Sequence, residues 1–170
     1  MAEEYDIEKV RMEFIGKELG STAGKYPVEY EPIRRHCQMV GCVNPLFLDE
    51  EYAKKTRYKG VISFPTAVPM FAAPGRTEPV KVPVVPALEV IPRRGDGVIN
   101  MSQELIFSKP VHIGDRLAAK TRIVDIFKKS IRLDPEAIWV TFESIMTNQK
   151  GEVVCTLKNT ILNYKIQIGG

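Results

Sequence analysis

The spacing of apolar residues changes character near the middle of the chain. In the second half, four runs alternate with period two, at residues 99–107, 115–128, 137–148 and 153–166. Leu117, Ala119, Thr121, Ile123 and Asp125 form one alternating series, and Trp139, Thr141, Glu143 and Ile145 another. That period puts successive side chains on opposite faces of a strand, so it predicts a sheet with one wet and one dry face. Residues 110–114, Asp134-Pro135 and Lys150-Gly151-Glu152 fall between the runs as turns, which makes the pairing antiparallel.

The first half is mixed. Residues 1–13 form a charged N-terminal extension with a helical pattern, in which Tyr5, Ile7 and Val10 can dock on the body or on a partner. Residues 14–20 form a short entry segment. Tyr26, Val28 and Tyr30 alternate, which predicts a strand over 25–31 leading into Pro32, a residue tolerated in the first turn of a helix. Ile33, Cys37 and Val40 then recur at helical spacing over 32–40, with Glu29 or Glu31 placed to favour the N-terminal dipole and Gly41 where a C-terminal cap belongs.

Asn44-Pro45 turns the chain, and Asp49 caps a short helix over 50–56 with acids at its start and lysines near its end. Residues 61–71 are apolar but broken by Pro65 and Pro69, so they suit neither a central strand nor a long helix and are expected to line something. A long Pro-rich loop over 73–97 follows, whose apolar inner part, 82–88, suits a surface that meets another chain. One long helix ahead of an antiparallel sheet predicts an α+β hot-dog fold, with the sheet wrapped around a central helix.

Composition narrows the picture. With 170 residues, 44% hydrophobic and 26% charged, the chain can bury the core of one domain, here taken as 1–170. A net charge of +3 is too small and too dispersed for nucleic-acid binding. It suits an anionic phosphate on a CoA or carrier protein, and suits an ordinary solvated surface equally. The three cysteines, Cys37, Cys42 and Cys155, make no CxxC pair and follow no signal-like segment, so a reducing, cytoplasmic setting is expected. Cys155 fits a small buried hydrophobe. His36 and His112 do not stand at ligand spacing from the cysteines, and no metal site is expected.

Several stretches resemble the MaoC-like, (R)-specific enoyl-thioester hydratases and hydroxyacyl-thioester dehydratases. They are Gly41-Cys42-Val43-Asn44-Pro45-Leu46 with Asp49, the helix through Tyr52-Ala53, Gly60-Val61-Ile62 with Pro65-Thr66, and Pro110-Val111-His112-Ile113-Gly114-Asp115. The Thr56-Arg57-Tyr58-Lys59-Gly60 run and the Asn148-Gln149-Lys150-Gly151-Glu152 turn are similar to the N-terminal dehydratase-domain type, which often works beside a second hot-dog domain.

The resemblance implies an acyl-CoA or acyl-carrier thioester as ligand, no cofactor, and a homo- or hetero-oligomer with a second hot-dog subunit. It also exposes two departures. The family's motif has a catalytic Asp two positions before Asn-Pro and a catalytic His two positions after the proline; Cys42 and Phe47 stand there. The family is thought to hydrate its substrate with that carboxylate and imidazole acting on one water, and Phe47 has no proton to exchange. Cys42 follows a helix C-terminus, where the dipole disfavours a thiolate.

The expected substrate-binding residues are Gly41, Cys42, Val43, Asn44, Pro45, Phe47, Phe64, Pro65 and Thr66, with no catalytic residue assigned. The amides near Val43 are candidate oxyanion donors. His36 is expected as a partly exposed helical histidine and His112 as a loop residue. Three roles stand open: the non-catalytic, acyl-binding partner of a catalytic subunit, a ligand-binding or regulatory hot-dog protein without a tight partner, or a self-sufficient enzyme. The last is a hydratase with a displaced dyad or a thioesterase using Asp49 or Glu50.

Overall fold

The computed structural model describes residues 5–73 and 90–166. Most of the Pro-rich stretch, including the apolar 82–88 segment expected to meet another chain, lies outside the described residues.

The elements run α1 (Ile7–Phe14), β1 (Glu18–Ala23), α2 (Tyr30–Met39), α3 (Pro45–Leu48), α4 (Glu50–Lys55), a 3-10 turn (Pro65–Ala67), α5 (Val68–Ala72), β2 (Gly97–Phe107), β3 (Ala118–Lys128), β4 (Ile138–Thr147) and β5 (Val153–Tyr164). The strands form one antiparallel sheet in the order β1-β3-β4-β5-β2. With helices set on its inner face, this is an α+β hot-dog fold. β2 to β5 lie where the period-two alternation places them.

The inner face carries two cores. Ile33 and Cys37 of α2, both fully buried, join Leu117, Ala119, Met146, Val154 and Cys155. Val10 and Phe14 of α1 join Ile123, Ile126, Val140, Phe142 and Ile161. The N-terminal helix is thus fastened to the sheet by two buried side chains, while Tyr5 and Ile7 pack at its margin.

A bulge in β3 lies between Ile123, opposite Phe142, and Asp125, opposite Thr141. The extra residue, Val124, shifts the alternation, so Ile126 takes the inner position that a strict period of two from Leu117 denies it.

Two expectations fail. Residues 25–31 do not form a strand: Val28 is buried and exchanges backbone bonds with the loop before β3, Val28 N to Asp115 O and Gly114 N to Val28 O, both 2.8 Å. Tyr26 faces solvent, and Tyr30 already belongs to α2, its hydroxyl donating to Leu48 O at 2.8 Å. The helix therefore starts two residues before Pro32. Glu29 makes no side-chain cap bond, and Glu31 instead pairs with Arg34 and Arg35, at 2.8 Å each, which lowers its pKa to about 2. The second failure is the entry segment, whose end is an edge strand: β1 pairs with β3, with a register shift between Glu18 and Gly20.

Candidate functional site

The site is built at the C-terminal end of α2. Val40 closes the helix, and Gly41 takes φ +68°, a left-handed conformation that favours glycine. Cys42 N then donates to Cys37 O at 2.8 Å, folding the chain back on the helix. Asn44 caps α3, its Oδ1 accepting from Leu46 N at 3.0 Å, and Pro45 occupies the first turn. Asp49 caps α4 by accepting from Tyr52 N at 3.0 Å. The two caps fix a tight corner that delivers Phe47 inward.

Phe47 is 8% exposed, and its ring lies 5.1 Å from that of Phe64. Phe64 in turn lies 4.9 Å from the His36 imidazole, and His36 Nε2 is 3.4 Å from Thr66 Oγ1. The corner is therefore a row of two phenyl rings, tilted 60° to one another, ending in one imidazole and one hydroxyl. Cys37 is buried, and its thiol pKa is raised first by burial and then by the neighbouring Cys42.

Behind the Phe64–Thr66 segment is an open cavity of about 500 Å³, lined by Arg57, Tyr58, Ile62, Pro65, Phe107 and Val111 among others. His112 Nε2 meets Tyr58 O at 2.9 Å, and its backbone N donates to Asp115 Oδ2 at 2.8 Å. It ties the loop before β3 to the cavity's wall, a larger part than a loop residue implies.

Against known proteins, a family model described as "FAS1-like, dehydratase domain region" matches residues 13–157. The chain belongs to this dehydratase family. A UPF0336 protein of Saccharopolyspora erythraea is 30% identical over 149 residues, covering 88% of each chain. A probable enoyl-CoA hydratase alpha subunit of Thermomonospora curvata is 26% identical over 94% of this chain, which spans 52% of that relative. Among solved structures, the ChsH1-ChsH2 complex of Mycobacterium tuberculosis matches with TM-score 0.73 and 16% identity, covering 95% of this chain and 90% of that one. A MaoC-like dehydratase of Rhodospirillum rubrum matches with TM-score 0.60 and 20% identity, covering 88% and 93%. The structural likenesses are likenesses of fold, and with the family match they place the chain among the MaoC-like hot-dog dehydratases.

Within this dehydratase fold, the nine residues singled out in the sequence divide. Phe47, Phe64 and Thr66 come together at the ring cluster, Pro65 lines the cavity, and Cys42 packs partly buried against the same core. Val43 is 86% exposed, so its side chain points to solvent. Gly41 shapes the corner through its backbone, Asn44 by capping, and Pro45 by opening α3.

The amides of Cys42, Leu46 and Phe47 are already bonded, to Cys37 O, Asn44 Oδ1 and Asn44 O, which leaves those of Val43 and Asn44 as the candidate oxyanion donors of this turn. Both carboxylates considered for a thioesterase are engaged elsewhere: Asp49 caps α4 and Glu50 pairs with Lys54 at 2.9 Å. His36 is, as expected, a partly exposed histidine of α2, and it reaches the ring cluster. Its position on α2 was legible, but its contacts with Phe64 and Thr66 span about thirty residues and leave no local signal.

Among the described residues, no group of three His, Cys, Asp or Glu side chains is arranged to hold a metal ion, and no helix is long and apolar enough to cross a membrane.

Proposed function

We propose that this chain is the acyl-binding, non-catalytic subunit of an acyl-thioester hydratase or dehydratase, and that a second hot-dog subunit brings the carboxylate and imidazole. The observation that carries the reading is the corner itself. At the two positions where the family's motif has its acid-base pair, the chain has a partly buried thiol and a buried phenyl ring packed on Phe64. A phenyl ring can line an acyl chain and cannot move a proton.

The edge of the sheet supports a partner. β2 ends the sheet, and Val98, Ile99, Met101, Ile106 and Phe107 along it are 38–45% exposed. An open, apolar edge strand is a template for pairing with another strand. Two relatives point the same way in name, one called an alpha subunit and the other solved as a two-protein complex. The ligand is a CoA or carrier-protein thioester, seated with its acyl part against Phe47 and Phe64 and the cavity behind Pro65.

His36 favours a second reading, a self-sufficient hydratase with a displaced base, because it is the one imidazole at the ring cluster. Co-expression with a hot-dog protein that bears the intact Asp and His motif separates the two. The subunit reading expects a stable hetero-complex that hydrates a trans-2-enoyl thioester and keeps its turnover when His36→Gln is introduced. Failure to form a complex, or loss of turnover with His36→Gln, contradicts it.

A further inference from the structure

Two nested hydrogen bonds close the end of α2. Gly41 N donates to Gln38 O at 3.3 Å and Cys42 N to Cys37 O at 2.8 Å, with Gly41 left-handed between the two arms. Helices that end in this way frequently bring the side chains joined by the outer bond into contact, and those side chains are ordinarily apolar. Here both are cysteines.

Two further observations place the thiols together. Cys42 packs against the core that contains Cys37. Burial raises the Cys37 pKa first, and the neighbouring Cys42 raises it further through its charge and a hydrogen bond between the two side chains. The outer backbone bond also limits their separation. One covalent bond lies on its donor side and two on its acceptor side, so the Cα atoms of Cys37 and Cys42 stand no more than about 7 Å apart, and the bends along that path bring them closer. A disulfide bridges Cα atoms within roughly that limit without moving the backbone far. Cys155, on β5, is paired in the sheet with Phe107 and Met146 instead.

We propose that Cys37 and Cys42 are a dithiol–disulfide pair, closed by exchange with a small-molecule disulfide of the glutathione class. The Cys42 thiolate, on the more exposed of the two residues, attacks one sulfur of that oxidant and releases its first thiol. The Cys37 thiolate then attacks Cys42 Sγ in the mixed disulfide and releases the second. The two protons and two electrons that the protein gives up end on the two thiols released, so the exchange balances. The bond ties the corner that delivers Phe47 to the buried end of α2.

The experiment equilibrates the full chain, native and in urea, with mixtures of reduced and oxidised glutathione at about pH 8, where thiolate is available for exchange. Samples are quenched with N-ethylmaleimide in denaturant and read as intact mass and as tryptic peptides. Cys37 and Cys42 share one tryptic peptide, residues 36–54, so the bond reads as the loss of two hydrogens from that peptide and of both its alkylations. The native chain is expected to form the bond about tenfold more favourably against glutathione than the unfolded chain, and dithiothreitol is expected to restore both thiols. A native chain that keeps three alkylated cysteines, stops at a glutathione adduct on Cys42, bridges to Cys155, or forms the bond no more favourably than the unfolded chain overturns the proposal.

Discussion

The three thiols are set apart by their surroundings. Burial raises the pKa values of Cys37 and Cys155, whose side chains are sealed in the α2 core, while Cys42 is partly exposed at the corner. Iodoacetamide at neutral pH is expected to label one thiol per native chain, at Cys42, and all three after unfolding, as read by intact and peptide mass spectrometry.

Asp134 gives a second handle at this scale. Its burial favours the neutral acid, but the amides of Lys165 and Glu136 and the Arg94 guanidinium outweigh that and hold its pKa below the usual carboxylate value. A depressed folded-state pKa stabilises the fold above the unfolded-state value, near roughly pH 4, and that contribution fades as pH falls toward the folded one. Asp134→Asn is therefore expected to lower the urea midpoint at pH 7 and to flatten its fall between about pH 5 and pH 3. A variant whose pH profile parallels the wild type contradicts this. Such residue-level roles were only partly legible in the sequence. Asp49 declares itself as a cap by preceding Glu50-Glu51, whereas the Arg94–Asp134 pair joins residues 40 apart and gives no local sign.

Among the elements, α2 organises the site, because its buried residues seat it on the sheet and its end projects the corner. Ile33 is fully buried in that contact. Ile33→Ala is expected to cost about 3 kcal/mol in denaturant unfolding, the usual range for emptying such a site. A loss below roughly 1 kcal/mol means that α2 is not the anchor it appears in this packing. Four of the five strands were legible because their apolar residues alternate against a half-buried face. β1 was not, because Glu18-Leu19-Gly20-Ser21-Thr22-Ala23 is almost wholly exposed and held by its partner strand rather than by its own pattern. The alternation of Tyr26, Val28 and Tyr30 misled for the converse reason: Val28 is buried by a loop contact, and Tyr30 starts a helix. The bulge at Val124 likewise hides Ile126 from a strict period of two.

For the molecule as a whole, the fold and family follow from the sheet pattern and the Asn44-Pro45 corner together, while the division of labour turns on two side chains. On the proposed reading, Cys42 and Phe47 leave a scaffold that holds an acyl chain and relies on a partner for proton transfer. The exposed apolar edge at β2 supplies a place for that partner. The most direct measurement is the hydration of crotonyl-CoA by the purified chain alone, set beside the same chain in complex with its catalytic partner. The account predicts no turnover above the uncatalysed rate for the chain alone and robust turnover for the complex. Turnover by the chain alone that disappears in His36→Gln would contradict it and give this corner a chemistry of its own.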